Sequence, residues 1–238
     1  MKKLYITLVG VGLAFGSTLF AADDESEVEE VVVVGSQIKG AKITGSLPVS
    51  VVTGIDIEAS GAIDGDDLLE HIAEQGQNYF TEAEDASGGV NASRGDVGAY
   101  NLRNLGVGNS LTLLNGRRLV NSPGYQTELI GGDYVPTVSV NSNLIPVSGI
   151  ERLEILRDGA SAVYGADAVA GVINTVLQDD YEGLSVTARV SGYDHFEAQD
   201  TTITAKWGSF FNDGATNVSV FFDHYDRDNI NAQEDPRW

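Results

Sequence analysis

The sequence predicts an α+β domain followed by the opening strands of an antiparallel, membrane-spanning β-sheet that would continue into a barrel. Two observations predict this order. Between Val49 and Val176, short apolar runs alternate with Gly-rich turns and helical segments, which is typical of a compact mixed domain. After Asp179 the chain changes to stretches of about ten residues in which apolar and polar side chains alternate, the signature of transmembrane β-strands.

The amino-acid composition limits the classes of function that the protein can have. The 238-residue chain has 35 acidic and 14 basic residues, a net charge of −21. This balance argues against nucleic-acid binding, because a phosphate-binding surface needs clustered Lys and Arg. The sequence has no cysteine, so thiolate metal sites are excluded. His71, His195 and His224 lack ligand spacing and no catalytic motif is present, so we predict no metal, no cofactor and no enzymatic activity.

Residues 1–22 have the layout of a cleaved secretory signal peptide. Two lysines near the start precede an apolar or small stretch at 4–20, and Ala21 and Ala22 stand before the acidic Asp23. An uncleaved membrane anchor is the alternative, although the apolar stretch is short for a spanning helix. We therefore expect the protein to be exported.

Residues 23–36 join an acidic leader to an extended segment. Six of the eight residues from Asp23 to Glu30 are acidic, which predicts a solvated tether. The β-branched run Val31–Val34 favours an extended backbone. It is either a first strand buried in the following domain or a segment that adds itself to the edge of a partner's sheet.

The predicted mixed domain spans residues 37–180. Its first helix carries Asp64, Asp66 and Asp67 in the first turn, where the helix dipole favours acidic side chains. Asn115-Gly116 predicts a tight turn. The period of residues 150–157 fits a strand and a helix equally well. The other predicted elements are strands at 49–53, 110–114 and 172–176, a return arm at 117–120, a helical turn at 160–164 and irregular stretches at 81–109 and 121–143.

Residues 181–238 are predicted to be the first strands of the barrel. Asn212–Gly214 provides a hairpin turn between two of the alternating runs. Phe221 is the one poor fit, because it stands on the polar face. A soluble antiparallel sheet with one wet face is the alternative, and closing a bacterial barrel takes at least about eight strands, so we expect an incomplete barrel. The alternating runs are residues 184–191, 202–207 and 217–223.

Several stretches, taken in order, resemble the TonB-dependent outer-membrane receptors. A run over 145–165 with Gly171–Asn174 is the most specific match, because long motifs are rarely met by chance. Two positions depart from the family pattern: Asn104 stands where a Gly usually follows the Arg, and Val34 stands where a Thr is common. The other matching stretches are the TonB box at 29–35, the first strand of the plug domain at 48–53, and the central plug motif at 102–106 and 111–118.

The resemblance implies a plugged barrel in the bacterial outer membrane, with the N-terminal domain inside the lumen. It implies TonB-dependent active uptake of a scarce large nutrient, such as a ferric siderophore, cobalamin or an oligosaccharide. The implied partners are TonB, outer-membrane lipid and an unidentified small-molecule or oligosaccharide substrate, and the chain is interpreted as an N-terminal fragment of the receptor. An exported plug-like binding module without transport is the alternative.

The resemblance also assigns two groups of residues. One group would couple to TonB and the other would supply charges at the plug–barrel interface, where wet ion pairs are weak enough to slip. For the second group, the alternative is that the charges only keep a plug strand soluble. The coupling residues are Glu30, Val31, Val32, Val33, Val34 and Gly35, and the interface charges are Arg103, Arg117, Arg118, Glu151, Arg152, Glu154 and Arg157.

Overall fold

The computed structural model describes residues 49–76, 97–124, 126–194 and 196–228. This part of the chain forms an N-terminal domain, built on a five-stranded sheet, and a three-stranded sheet that follows it. The strands are β1 (Val49–Thr53), β2 (Ser110–Leu114), β3 (Arg117–Arg118), β4 (Gln126–Ile130), β5 (Asp133–Thr137), β6 (Ile150–Leu156), β7 (Gly171–Leu177), β8 (Gly183–Gly192), β9 (Gln199–Phe211) and β10 (Thr216–Arg227). The helices are α1 (Gly54–Ser60), α2 (Gly65–Glu70) and α3 (Ser161–Tyr164), with 3-10 turns at Val107–Asn109, Ser142–Leu144, Val147–Gly149 and Ala166–Ala168.

The five-stranded sheet has the order β1-β6-β7-β2-β3, and only the β2–β7 pair is parallel. The central strands β6 and β7 form the middle of the core, where Leu153, Ile155 and Ile173 are fully buried. Residues 150–157 show no clear period because adjacent side chains on both faces of β6 are buried. Pairing with β1 and β7 on its two edges makes this segment a strand.

The short helices α1 and α2 both have acidic residues at their N-terminal ends. Thr53 caps α1, accepting a hydrogen bond from the Asp56 backbone N–H at 3.3 Å, while Asp56 accepts one from the Thr53 N–H at 3.0 Å. Asp64 caps α2 by accepting from the Asp67 N–H at 2.8 Å. Such caps satisfy backbone donors that a helix start leaves unpaired. The predicted helix and its acidic first turn are confirmed.

The stretch 121–143, predicted to be irregular, contains a β-hairpin, so that prediction is wrong. β4 and β5 pair antiparallel around Gly131 and Gly132, whose φ angles of 63° and 96° suit a tight turn. The second strand was not predicted because it contains Pro136, and proline is rare inside sheets. Here β5 has one partner, and a two-stranded sheet leaves an edge on which proline is tolerated. The predicted return arm 117–120 is also shorter and pairs only over β3.

A left-handed turn lies at the position where the sequence departs from the family motif. The φ angles of Arg103 and Asn104 are 56° and 58°. Glycine adopts this conformation freely, and asparagine tolerates it better than most other residues. Asn104 thus meets the conformational demand of the turn without a glycine.

The three-stranded sheet has the order β10-β9-β8, with both pairs antiparallel. The turn after β9 has positive φ angles at Asn212, Asp213 and Gly214, as the turn signal predicts. Along β10 exposed and half-buried residues alternate from end to end. Large apolar side chains line the exposed face: Leu184, Val186, Val190, Ile203, Trp207, Val218, Val220 and Phe222.

Candidate functional site

The N-terminal domain packs against the polar face of the three-stranded sheet, and this interface is the candidate site. Asp200 and Thr202 on β9 are buried there. The half-buried residues of β10 are the ones on this same face, every second residue from Asn217 to Arg227. The face that the sequence predicts to be polar is therefore the one that meets the domain.

Direct contact between the two regions is concentrated at the 3-10 turn Val147–Gly149. The Ser148 backbone N–H donates to Asp223 Oδ2 at 3.1 Å, and its hydroxyl donates to Asp223 Oδ1. The ring of Phe221 lies against Gly149, so closely that a Cβ on Gly149 would stand 2.7 Å from Phe221 Cγ. The Tyr181 ring meets Phe221 edge-on, with centroids 6.4 Å apart.

Beside this contact the two regions separate around a cavity of about 970 Å³. Its domain wall includes α1, Glu151 and Arg152. Arg189 crosses it, since its Nη1 lies 3.4 Å from the carbonyl oxygen of Gly61. The sheet wall is polar and consists of Ser185, Thr187, Arg189, Thr202, Thr204, Lys206 and Asp223.

Two of the predicted interface charges, Glu151 and Arg152, line this cavity. The Arg152 guanidinium binds two carboxylates, Glu151 and, at 3.0 Å from its Nε, Glu154. Glu154 itself is fully buried inside the domain and also accepts a hydrogen bond from Asn174 Nδ2 at 3.0 Å. Glu154 therefore holds Arg152 from the interior, while Glu151 holds it at the cavity surface.

The remaining predicted interface charges lie on other parts of the domain, and three of them bind partners within it. Arg103 Nη2 donates to the Ala170 carbonyl at 2.9 Å. Arg118 pairs with Asp167 at 2.6 Å and also donates to the Tyr164 carbonyl. Arg157 Nε lies 3.9 Å from Glu74, and Arg117 is exposed at the start of β3. Their role at the interface stays a prediction.

The predicted TonB-coupling residues Glu30 to Gly35 lie outside the described residues, as do the signal peptide and the acidic leader. Among the residues that are described, no group of three His, Asp or Glu could hold a metal ion. No helix in the same part of the chain is both long enough and apolar enough to cross a membrane.

A cluster of side chains around Arg227 lies at one end of the three-stranded sheet. Its Nε lies 3.0 Å from Asp200 Oδ1, and its guanidinium sits over the rings of Tyr193 and Tyr225 at 5.9 and 5.6 Å. The Tyr193 hydroxyl donates to Asp200 Oδ2 at 2.6 Å. Burial and this hydrogen bond raise the pKa of Tyr193 above its ordinary value.

Sequence reasoning missed the residues that join the two regions, namely Ser148, Gly149 and Asp223. Nothing in their local pattern distinguishes them from loop and strand residues. Phe221 gave the available signal, because an aromatic residue on an otherwise polar face has to be buried against something. Its position predicts a contact but not the partner.

Comparison with known proteins places residues 41–172 in the family model described as the TonB-dependent receptor plug domain. An iron-regulated outer membrane virulence protein of Vibrio cholerae is 26% identical over 77% of this chain and 25% of its own length. A vitamin B12 transporter of Photobacterium profundum is 28% identical over 74% of this chain and 25% of its own length. The chain thus spans about a quarter of the length of these curated relatives.

Solved structures show the same fold. A ferric enterobactin receptor of Pseudomonas aeruginosa, in complex with enterobactin, matches 78% of this chain and 25% of its own with a TM-score of 0.55 and 18% identity. A siderophore receptor of Acinetobacter baumannii matches 74% of this chain and 24% of its own with a TM-score of 0.53 and 18% identity. Both likenesses concern the fold alone, and they support the predicted plug followed by barrel strands.

Proposed function

Since its matched region covers more than half of its length, the chain belongs to the TonB-dependent receptor plug-domain family, and we propose that it takes part in active uptake of a scarce large nutrient across the bacterial outer membrane. The family match over residues 41–172 carries this proposal. The proteins to which it is similar include a vitamin B12 transporter and a ferric enterobactin receptor, and the chain is accordingly not an enzyme. Ferric siderophores and cobalamin are the substrate classes that the names of its relatives suggest.

The exposed face of the three-stranded sheet supports an outer-membrane location. Large apolar residues share that face, whereas the opposite face is mostly polar and is turned towards the N-terminal domain. A soluble sheet normally buries its apolar face. A barrel wall does the reverse, with the apolar side in lipid and the polar side towards the lumen.

In the proposed mechanism, substrate binding releases the acidic leader to the periplasm, and Glu30 to Gly35 join the edge of a sheet in TonB. Strand addition of this kind relies on backbone hydrogen bonds, for which the run Val31–Val34 is suited. A pull on the leader would then shift the N-terminal domain against the sheet. Glu151 and Arg152 are adjacent on β6, so their ion pair would move with the domain and would not resist the shift.

The first test is a proline substitution in the coupling segment. Val32→Pro removes a backbone donor from the added strand, so uptake of radiolabelled ferric enterobactin or cobalamin into cells is expected to fall to background. Val32→Ile retains the donor and the β-branched shape and is expected to leave uptake unchanged.

Measuring ligand binding shows whether lost uptake reflects lost coupling or lost ligand recognition. Equilibrium binding of the same two ligands to outer-membrane vesicles should be equal in both variants. Undiminished uptake by Val32→Pro would remove the coupling role of this segment. Ligand binding with no uptake even in the unsubstituted protein would instead favour the exported binding module.

A further inference from the structure

The interface between the N-terminal domain and the three-stranded sheet has two unlike halves. One half, at the 3-10 turn Val147–Gly149, is in direct contact with β10. The other half, along α1, is held apart from the sheet by the cavity of about 970 Å³. A difference of this kind means that force applied to the domain meets unequal resistance along the interface.

The contacting half combines shape and charge. Gly149 is buried, and the Phe221 ring fills the space where any other side chain would begin. Next to it, both carboxylate oxygens of Asp223 accept hydrogen bonds from Ser148. Hydrogen bonds to a charged acceptor are stronger than neutral ones.

The segment that links the domain to β8 is pinned at the same place. The Tyr181 backbone crosses β9 directly over Gly208, where a Cβ would stand 2.0 Å from the Tyr181 carbonyl oxygen. That carbonyl accepts a hydrogen bond from Asn217 Nδ2 at 3.0 Å, and the Tyr181 ring packs on Phe221. The linker and the 3-10 turn are therefore held by one patch of the sheet.

The half with the cavity is held more loosely. The Arg189–Gly61 contact of 3.4 Å is at the long end of the hydrogen-bond range. Thr187, Thr204 and Lys206 line the cavity from the sheet side without closing it. Water can occupy this space and replace such contacts at little cost.

We propose that Gly149 and Phe221, clamped by Ser148 and Asp223, form a fixed anchor at which the N-terminal domain stays attached to the sheet, and that the two regions part on the side of the cavity. The attachment at the anchor exists in the resting protein and does not depend on the substrate. The separation of the two regions on the cavity side rests on the proposed uptake function. Phe221, Asp223, Ser148 and Gly149 are positioning residues for that movement.

The chain has no native cysteine, so paired cysteines test the anchor cleanly. In outer-membrane vesicles, oxidation of Ser148→Cys/Asp223→Cys is expected to give an intramolecular disulfide, seen as a mobility shift that dithiothreitol reverses. Ser148→Cys/His224→Cys is the matched control, because His224 is the next residue on β10 and lies on the opposite, exposed face. Equal cross-linking of both pairs would overturn the anchor.

Anchor strength is tested by releasing the contact in urea. With Ser148→Cys as the reporter thiol, Phe221→Ala should raise the rate of labelling by a water-soluble maleimide roughly tenfold over Phe222→Ala, because truncating a packed aromatic ring lowers stability while its exposed neighbour contributes little. Equal rates in the two backgrounds would show that the ring does not hold the turn.

Uptake then tests which side opens. The oxidised Ser148→Cys/Asp223→Cys protein is expected to take up radiolabelled ferric enterobactin or cobalamin as fast as its reduced form. A bismaleimide bridge across the cavity between Gly61→Cys and Arg189→Cys is expected to stop uptake. Uptake lost on oxidation and restored by dithiothreitol would overturn the proposal. If the unsubstituted protein takes up neither ligand, the proposed uptake of these ligands fails, while the cross-linking and labelling results still decide the anchor.

Discussion

The five-stranded and the three-stranded sheet bury opposite kinds of side chain. In the five-stranded sheet Leu153 and Ile173 are fully buried, whereas in the three-stranded sheet Asp200 and Thr202 are buried and Leu184 is 72% exposed. The five-stranded sheet also buries the carboxylate of Glu154, which is tolerated because Arg152 and Asn174 bind it. In the three-stranded sheet, the exposed apolar face suits a lipid solvent. The exposed fraction of a side chain therefore does not by itself show whether that residue is unfavourable, because the answer depends on whether water or lipid surrounds it.

The largest expected effect concerns the two carboxylates that share Arg152. Glu154→Ala leaves Arg152 and Asn174 with unmet hydrogen bonds in a buried site, and it should lower the free energy of unfolding by about 3–5 kcal/mol. Glu151→Ala removes the partly exposed carboxylate and should change it by about 0–1 kcal/mol.

Chemical denaturation of the protein in vesicles, followed by tryptophan fluorescence, measures both variants. Similar losses for the two variants would contradict the contrast between the buried and the exposed carboxylate.

An intermediate effect distinguishes the solvents of the two regions. Val220 on β10 and Val135 on β5 are both exposed, at 52% and 37%. Val220→Lys should cost about 2–4 kcal/mol in vesicles if its face meets the middle of the bilayer, whereas Val135→Lys, in the N-terminal domain, should stay within about 0.5 kcal/mol. Denaturant titration of both variants in the same vesicles is the measurement. A harmless Val220→Lys would show that the exposed face of the sheet is not in lipid.

The smallest effect lies where the two regions meet. Asp64 lines a second cavity of about 490 Å³ together with Phe221 and Tyr225, and burial raises the pKa of Asp64 above its ordinary value of 3.8. Because the folded state binds this proton more tightly than the unfolded state, stability falls as the pH rises from 3.8 through the raised pKa.

Asp64→Asn keeps the helix cap, since asparagine caps as well as aspartate. It should therefore stabilise the protein at neutral pH and have no such effect below pH 3.8. Denaturation midpoints at acid and neutral pH measure the difference. A less stable Asn variant at neutral pH would show that the charged form is favoured at this site.

Local signals predicted a large part of the fold. The strands near Val49, Ser110 and Val172, the acidic start of α2 and the turn at Asn212 each depend on residues close in sequence, and each is found in the structure. The hairpin β4–β5 was missed, because Pro136 and the adjacent glycines mask its pattern. Residues 150–157 stayed ambiguous because burial on both faces erases the period that distinguishes a strand from a helix.

The candidate site was less predictable than the fold. Seven charges were predicted at the interface, but only Glu151 and Arg152 line the cavity between the two regions, and Glu154 lies in the domain interior. Charge and apolar spacing over residues 150–157 fit a strand and a helix equally well. They do not show which face of the strand a second region will cover.

The sequence by itself determined the change from a mixed to an alternating pattern, the turns at Asn115 and Asn212, and the family resemblance, because each depends on neighbouring residues or on an ordered set of motifs. The export signal stays a prediction, since residues 1–22 lie outside the described residues. Only the tertiary structure decided how the two regions are joined. Ser148 and Asp223 are 75 residues apart in the chain. Phe221 packs against Gly149, and a glycine has no side chain from which such a contact could be predicted. Contacts of this kind arise from packing over long separations, which no local period or propensity encodes.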